Sequence, residues 1–183
     1  MGWRWDKPRF TYQPYFPNVE LNVTQMMHVN ATQFRALEVI LIAVVNANGN
    51  YNLAFDIWFT ADRGGKQVTD EVMVWLIWTD REFRLPKAVN DGFNDYGYIT
   101  FKAAWRFHAF ILLANKIPFH VDLLRLITFA GVDGYLRSIS LGNEVFSGTG
   151  RTKVYAINIM VNELSIRNAG ACYSPSCADS YSP

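Results

Sequence analysis

The nine residues from Asp70 to Trp78, DEVMVWLIW, limit the fold more than any other stretch. They are mostly apolar, of strand length, and headed by a carboxylate. Alternate residues of a strand share a face. Glu71 therefore lines up with Met73, Trp75 and Ile77, while Val72, Val74, Leu76 and Trp78 point the other way. The second set suits packing. The first, an acid with a thioether and an indole, is an unusual set for a core.

The same period recurs along the chain. VNATQFRALEVILIAVVNA holds one long strand or two. YNLAFDIWFTA is another, with Leu53, Phe55, Ile57 and Phe59 on one face and Ala54, Asp56, Trp58 and Thr60 on the other. ADRGGKQ supplies turn glycines before the Asp70 strand. GYITFKAAWRFHAFILLA gives one or two more strands, and TKVYAINIMVNELSI the last. Short strands separated by turn signals predict an all-β, antiparallel sandwich or barrel.

One segment differs. Leu123, Leu126, Ile127 and Ala130 fall at helical spacing, with Pro118 before and Gly131 after. This predicts a single helix over Phe119–Ala130, packed on the outside of one sheet.

The 183 residues suit one domain, and a 50% hydrophobic content is enough for a sizeable core. Residues 1–168 are expected to form that domain, and 169–183 a Ser/Pro-rich tail. The formal charge of +1 offers no phosphate-tracking surface, so no nucleic-acid partner is expected. LEVILIAVV contains Glu38 and is too short to span a bilayer, so no membrane association is expected. The N-terminus has no apolar signal segment. Cys172 and Cys177 form either a local disulfide or two inert thiols. His28, His108 and His120 form no ligand motif, and no metal site is expected.

Three acids interrupt apolar strand patterns: Asp56, Glu71 and Glu144. Any one of them could face water on the solvated side of a sheet. Together they stand among aromatic rings: Asp56 with Trp58, Glu71 with Trp75, and Glu144 with Phe146. Acids among rings suit a groove for a sugar, whose CH faces stack while its hydroxyls hydrogen-bond. Two carboxylates facing one bond are also the minimum equipment for glycoside cleavage.

Four blocks, in order, resemble glycoside hydrolase family 12, mostly endo-β-1,4-glucanases on a β-jelly roll. YFPNVELN is similar to a family strand entry, and LAFDIWFTA to its YDLWF strand. DEVMVWLIW is similar to the EIMIW strand that carries the nucleophile. HVDLLRLITFAGVDGYLRSISLGNEVFSGTG resembles the helix and the strand with the acid/base glutamate. The resemblance implies a two-sheet antiparallel jelly-roll sandwich with one packed helix. It implies Glu71 as nucleophile, Glu144 as acid/base and Asp56 as the nucleophile's neighbour. Met73, Trp75, Trp58 and Phe146 would contact substrate. A β-glucan polysaccharide or oligosaccharide, no cofactor, a monomer and secretion are implied as well. Against the family pattern, the sequence starts at a WxW segment, Trp3 to Trp5, so the family's first strands are expected to be missing from it. A jelly-roll glycan-binding protein without chemistry, and a hydrolase of xyloglucan or mixed-linkage β-glucan, are the alternatives.

Overall fold

The computed structural model describes residues 19–20, 29–79, 96–102, 104–113, 117–143, 149–162 and 164–169. Among them, ten strands and one α-helix are formed: β1 (Val19–Glu20), β2 (Leu37–Asn48), β3 (Asn52–Thr60), β4 (Val68–Trp78), β5 (Tyr96–Lys102), β6 (Arg106–Leu112), β7 (Phe119–Asp122), α1 (Leu123–Phe129), β8 (Tyr135–Gly142), β9 (Thr149–Val161) and β10 (Leu164–Ala169). A six-stranded sheet has the order β1-β8-β3-β4-β6-β5, and a four-stranded sheet the order β10-β9-β2-β7. The segment read as one last strand is thus the hairpin β9–β10.

Every described pair is antiparallel except β4–β6, which is parallel. The chain leaves β4, forms the sheet edge as β5, and returns as β6 antiparallel to β5. It therefore docks against β4 running the same way. Strand periodicity carries no information about this pairing.

Apolar alternation builds the interior. Leu53, Phe55, Ile57 and Phe59 of β3 meet Val72, Val74 and Leu76 of β4 in one core with Leu37, Val39 and Leu41 of β2 and Ile157, Ile159 and Val161 of β9. Burying each such side chain contributes about 1.5–3 kcal/mol. The β3–β4 turn needs Gly65 for its positive φ of 67°.

The structure corrects the face assignment at the end of β4. Leu53 pairs with Ile77, but Ala54 pairs with Trp75, which leaves Leu76 as an extra residue. A β-bulge of this kind puts two successive side chains on one side. Leu76 and Ile77 both pack into the main core, and Trp78 joins the opposite face. Ile77 is therefore not on the Glu71 face, and Trp78 is.

The helix is also shorter than its spacing implied. Phe119 and Val121 are buried, His120 and Asp122 exposed, and all four residues pair with β2 as strand β7. Asp122 then caps α1, its side chain accepting from the Arg125 backbone N–H at 2.9 Å. Leu123, Leu126 and Ile127 enter the main core, so α1 extends the interior instead of lying on an outer face.

Candidate active site

The face of the six-stranded sheet opposite the main core carries a second apolar cluster. Ala54, Met73, Trp75 and Ile111 form it, with Trp78, Ile99 and Phe107 packed alongside. Four adjacent strands, β3, β4, β6 and β5, supply these residues. In register, Glu71 lies between Trp58 of β3 and Phe107 of β6, and Met73 between Asp56 and Ala109.

Two carboxyls sit in this face. Glu71 is 8% exposed and Asp56 7%. Burial pushes the Glu71 carboxyl above its ordinary value, and hydrogen bonds to Trp105 and Asp56 offset part of that rise.

Indole N–H groups order the polar atoms. Trp105 Nε1 donates to Glu71 Oε2 at 2.7 Å. Trp58 Nε1 donates to Asp56 Oδ2 at 2.9 Å. Trp75 Nε1 points at Met73 Sδ, 2.7 Å away. The Trp58 and Trp105 rings meet edge to face, with centroids 5.4 Å apart. The arrangement offers an acid with restrained oxygens inside a wall of rings and one thioether.

Five of the residues expected in the site therefore come together: Glu71, Asp56, Met73, Trp75 and Trp58. Glu144 and Phe146 lie outside the described residues, as do Cys172, Cys177 and the Trp3–Trp5 segment. Asn143, immediately before Glu144, is 3% exposed and pinned twice. Its Nδ2 donates to Asn52 O at 2.7 Å, and its Oδ1 accepts from Thr152 Oγ1 at 2.6 Å.

Sequence reasoning missed Trp105 and Trp78. Trp105 falls just before β6, in a stretch read only as strand, and reaches Glu71 through the unforeseen parallel pairing. Asp70 was missed as well. It is fully buried on the core side of β4, with Arg106 Nε 2.7 Å and His108 Nε2 3.2 Å from Oδ1. Tyr98 Oη lies 2.7 Å from the other His108 ring nitrogen. Burial pushes the Asp70 carboxyl up, but the hydrogen bonds from His108 and Arg106 and the Arg106 charge outweigh it and hold the carboxyl below its ordinary value.

No protein-family model matches the chain. It is 22% identical over 181 residues to Endoglucanase S of Pectobacterium parmentieri, covering 84% of this chain and 69% of that protein. Among solved structures, Endoglucanase 3 of Trichoderma harzianum, from glycoside hydrolase family 12, superposes with a TM-score of 0.68 at 15% identity, over 81% of this chain and 72% of that one. A family 12 xyloglucanase from Bacillus licheniformis gives 0.65 at 21% identity, over 87% and 80%. With its two sheets, single described α-helix and acid-bearing β4, the chain has the fold of the family 12 glycoside hydrolases.

Proposed function

We propose that the chain is a glycoside hydrolase acting on β-glucans, and more narrowly a retaining endo-β-1,4-glucanase. The observation that carries this reading is the Glu71 carboxyl, buried among Trp58, Trp75 and Trp105 with Asp56 beside it. The likeness to Endoglucanase S and to the family 12 structures supports it.

In the proposed double displacement, ionised Glu71 attacks the anomeric carbon. Glu144 gives its proton to the departing sugar oxygen, and a glycosyl ester forms on Glu71. Glu144 then takes a proton from water, whose oxygen displaces Glu71 and restores the starting state. Asp56 would carry the proton shared with Glu71 and hold that carboxyl's rotamer. Met73 and Trp75 would present a polarisable, flat surface to the sugar ring. The substrate is a polymer, so a secreted protein is part of the reading. A single domain over residues 1–168 is part of it too.

Replacing Glu71 by Gln should abolish nearly all turnover of cellulose-type polymers while leaving oligosaccharide binding measurable. Proton NMR of early cellopentaose hydrolysis by the unmodified chain should show the β-anomer first. Initial α-product, or turnover retained in Glu71→Gln, would overturn the assignment. The xyloglucanase likeness gives a second substrate reading: faster release from xyloglucan than from unbranched glucan would favour it.

A further inference from the structure

We propose that Trp105 is a positioning residue for Glu71: its indole N–H fixes one carboxylate oxygen and thereby aims the nucleophile. The inference rests on Glu71 as nucleophile and deepens that reading. The terminal torsion of a glutamate is broad, so an unsupported carboxylate samples many orientations. A donor 2.7 Å from Oε2 removes that freedom.

Trp105 is itself held from two sides. Its ring abuts Trp58 edge to face, and the Trp58 N–H is tied to Asp56. The following residue, Arg106, reaches the other face of the sheet. There its Nε lies 2.7 Å from Asp70 Oδ1 and its Nη2 3.1 Å from Oδ2. A two-pronged guanidinium–carboxylate contact is geometrically demanding. Asp70 and Arg106 are also register partners in the parallel β4–β6 pair. Two consecutive residues of β4, Asp70 and Glu71, are therefore fastened to two consecutive residues, Arg106 and Trp105, on opposite faces of one sheet. The strand carrying the acid and the segment carrying its donor cannot slide past each other without breaking both contacts.

Among the described residues, Asp56 on β3 is the titratable group beside Glu71, while Phe107 of β6 and Trp105 just before it do not titrate in the working range; Glu144, the proposed acid/base, would be a second carboxyl facing it. Removing the Trp105 N–H takes away a bond that favours the charged carboxylate, so Glu71 should become harder to ionise.

The test is Trp105→Phe, which keeps a ring and deletes the donor. Turnover should fall about 10- to 100-fold with KM changed little, as expected when a reacting group loses its alignment. The acidic limb of the activity profile should move to higher pH. The ¹³C carboxyl resonance of Glu71 should titrate at correspondingly higher pH, a readout independent of turnover. Identical Glu71 titration in the two proteins would overturn the positioning role. A shifted titration together with undiminished turnover in Glu71→Gln would instead sink the nucleophile reading and leave the hydrogen bond standing. Should Trp105→Phe not fold, the unmodified protein still decides. Its Trp105 indole N–H resonance, assigned through contacts to Trp58, should move with pH at the Glu71 midpoint, and a flat response would refute the proposal.

Discussion

As the proposed nucleophile, Glu71 carries two opposed requirements. Attack on a sugar needs its charged form, and burial disfavours that form. Because its carboxyl is raised above the ordinary 4.5, the acidic limb of kcat/KM should lie above that value in a pH–rate profile. The same shift has a stability consequence. A carboxyl whose pKa is raised by folding contributes stability below its unfolded value, and that contribution is lost as pH rises through the raised one. Glu71→Gln removes the cost of a buried charge. It should therefore be more stable than the unmodified chain at neutral pH, by about 1 kcal/mol or a few degrees of Tm. The advantage should disappear in acid, where Glu71 is protonated anyway. Thermal melts at pH 4 and pH 7 check this, and equal differences at both would refute it.

The parallel β4–β6 pair has a consequence at the scale of the element. Its first register step joins Asp70 to Arg106, and the only backbone route between the strands runs through the β5 edge. The buried Asp70 carboxylate gives that step an ionic lock with His108 behind it. Asp70→Asn should destabilise by about 1–3 kcal/mol, because it leaves polar partners imperfectly satisfied. The figure stays at that level because the Arg106 side chain is 42% exposed and can turn to water. The Asp70 carboxyl is depressed by folding, so its contribution is present above its unfolded value and lost as pH falls through the folded one. Denaturant titrations should then show the penalty at pH 7 shrinking towards strongly acidic pH.

At the scale of the molecule, the proposed reaction would need the two sheets to hold the end of β8 in place. Asn143 does so by bonding to Asn52 of β3 in one sheet and Thr152 of β9 in the other. Buried polar groups of this kind are costly to orphan. Asn143→Ala should cost about 1–3 kcal/mol. If Glu144 is the acid/base, the same variant should lower turnover on cellulose-type polymers more than on an activated aryl glycoside, whose leaving group needs little protonation. Equal losses on both substrates would mean that Asn143 supports the fold without supporting Glu144.

The sandwich class, the alternating core faces of β3 and β4, and the shared face of Glu71, Met73 and Trp75 were legible in the residues alone. Their cause is local: side chains alternate wherever a strand forms, and burial selects the apolar face. Asp56 and Trp58 followed from the same period one strand earlier. What local period does not contain is which strands are neighbours and where one slips by a residue. The bulge at Leu76 moved Trp78 onto the Glu71 face and Ile77 off it. Pairing with β2 made a strand of Phe119–Asp122, whose four residues alternate as readily as they continue the spacing of α1. The parallel docking of β6 brought Trp105 to Glu71 and Arg106 to Asp70 across more than thirty positions of sequence. Those contacts depend on hydrogen bonding between distant backbones, so the sequence determined the surfaces and the tertiary structure alone decided which of them meet.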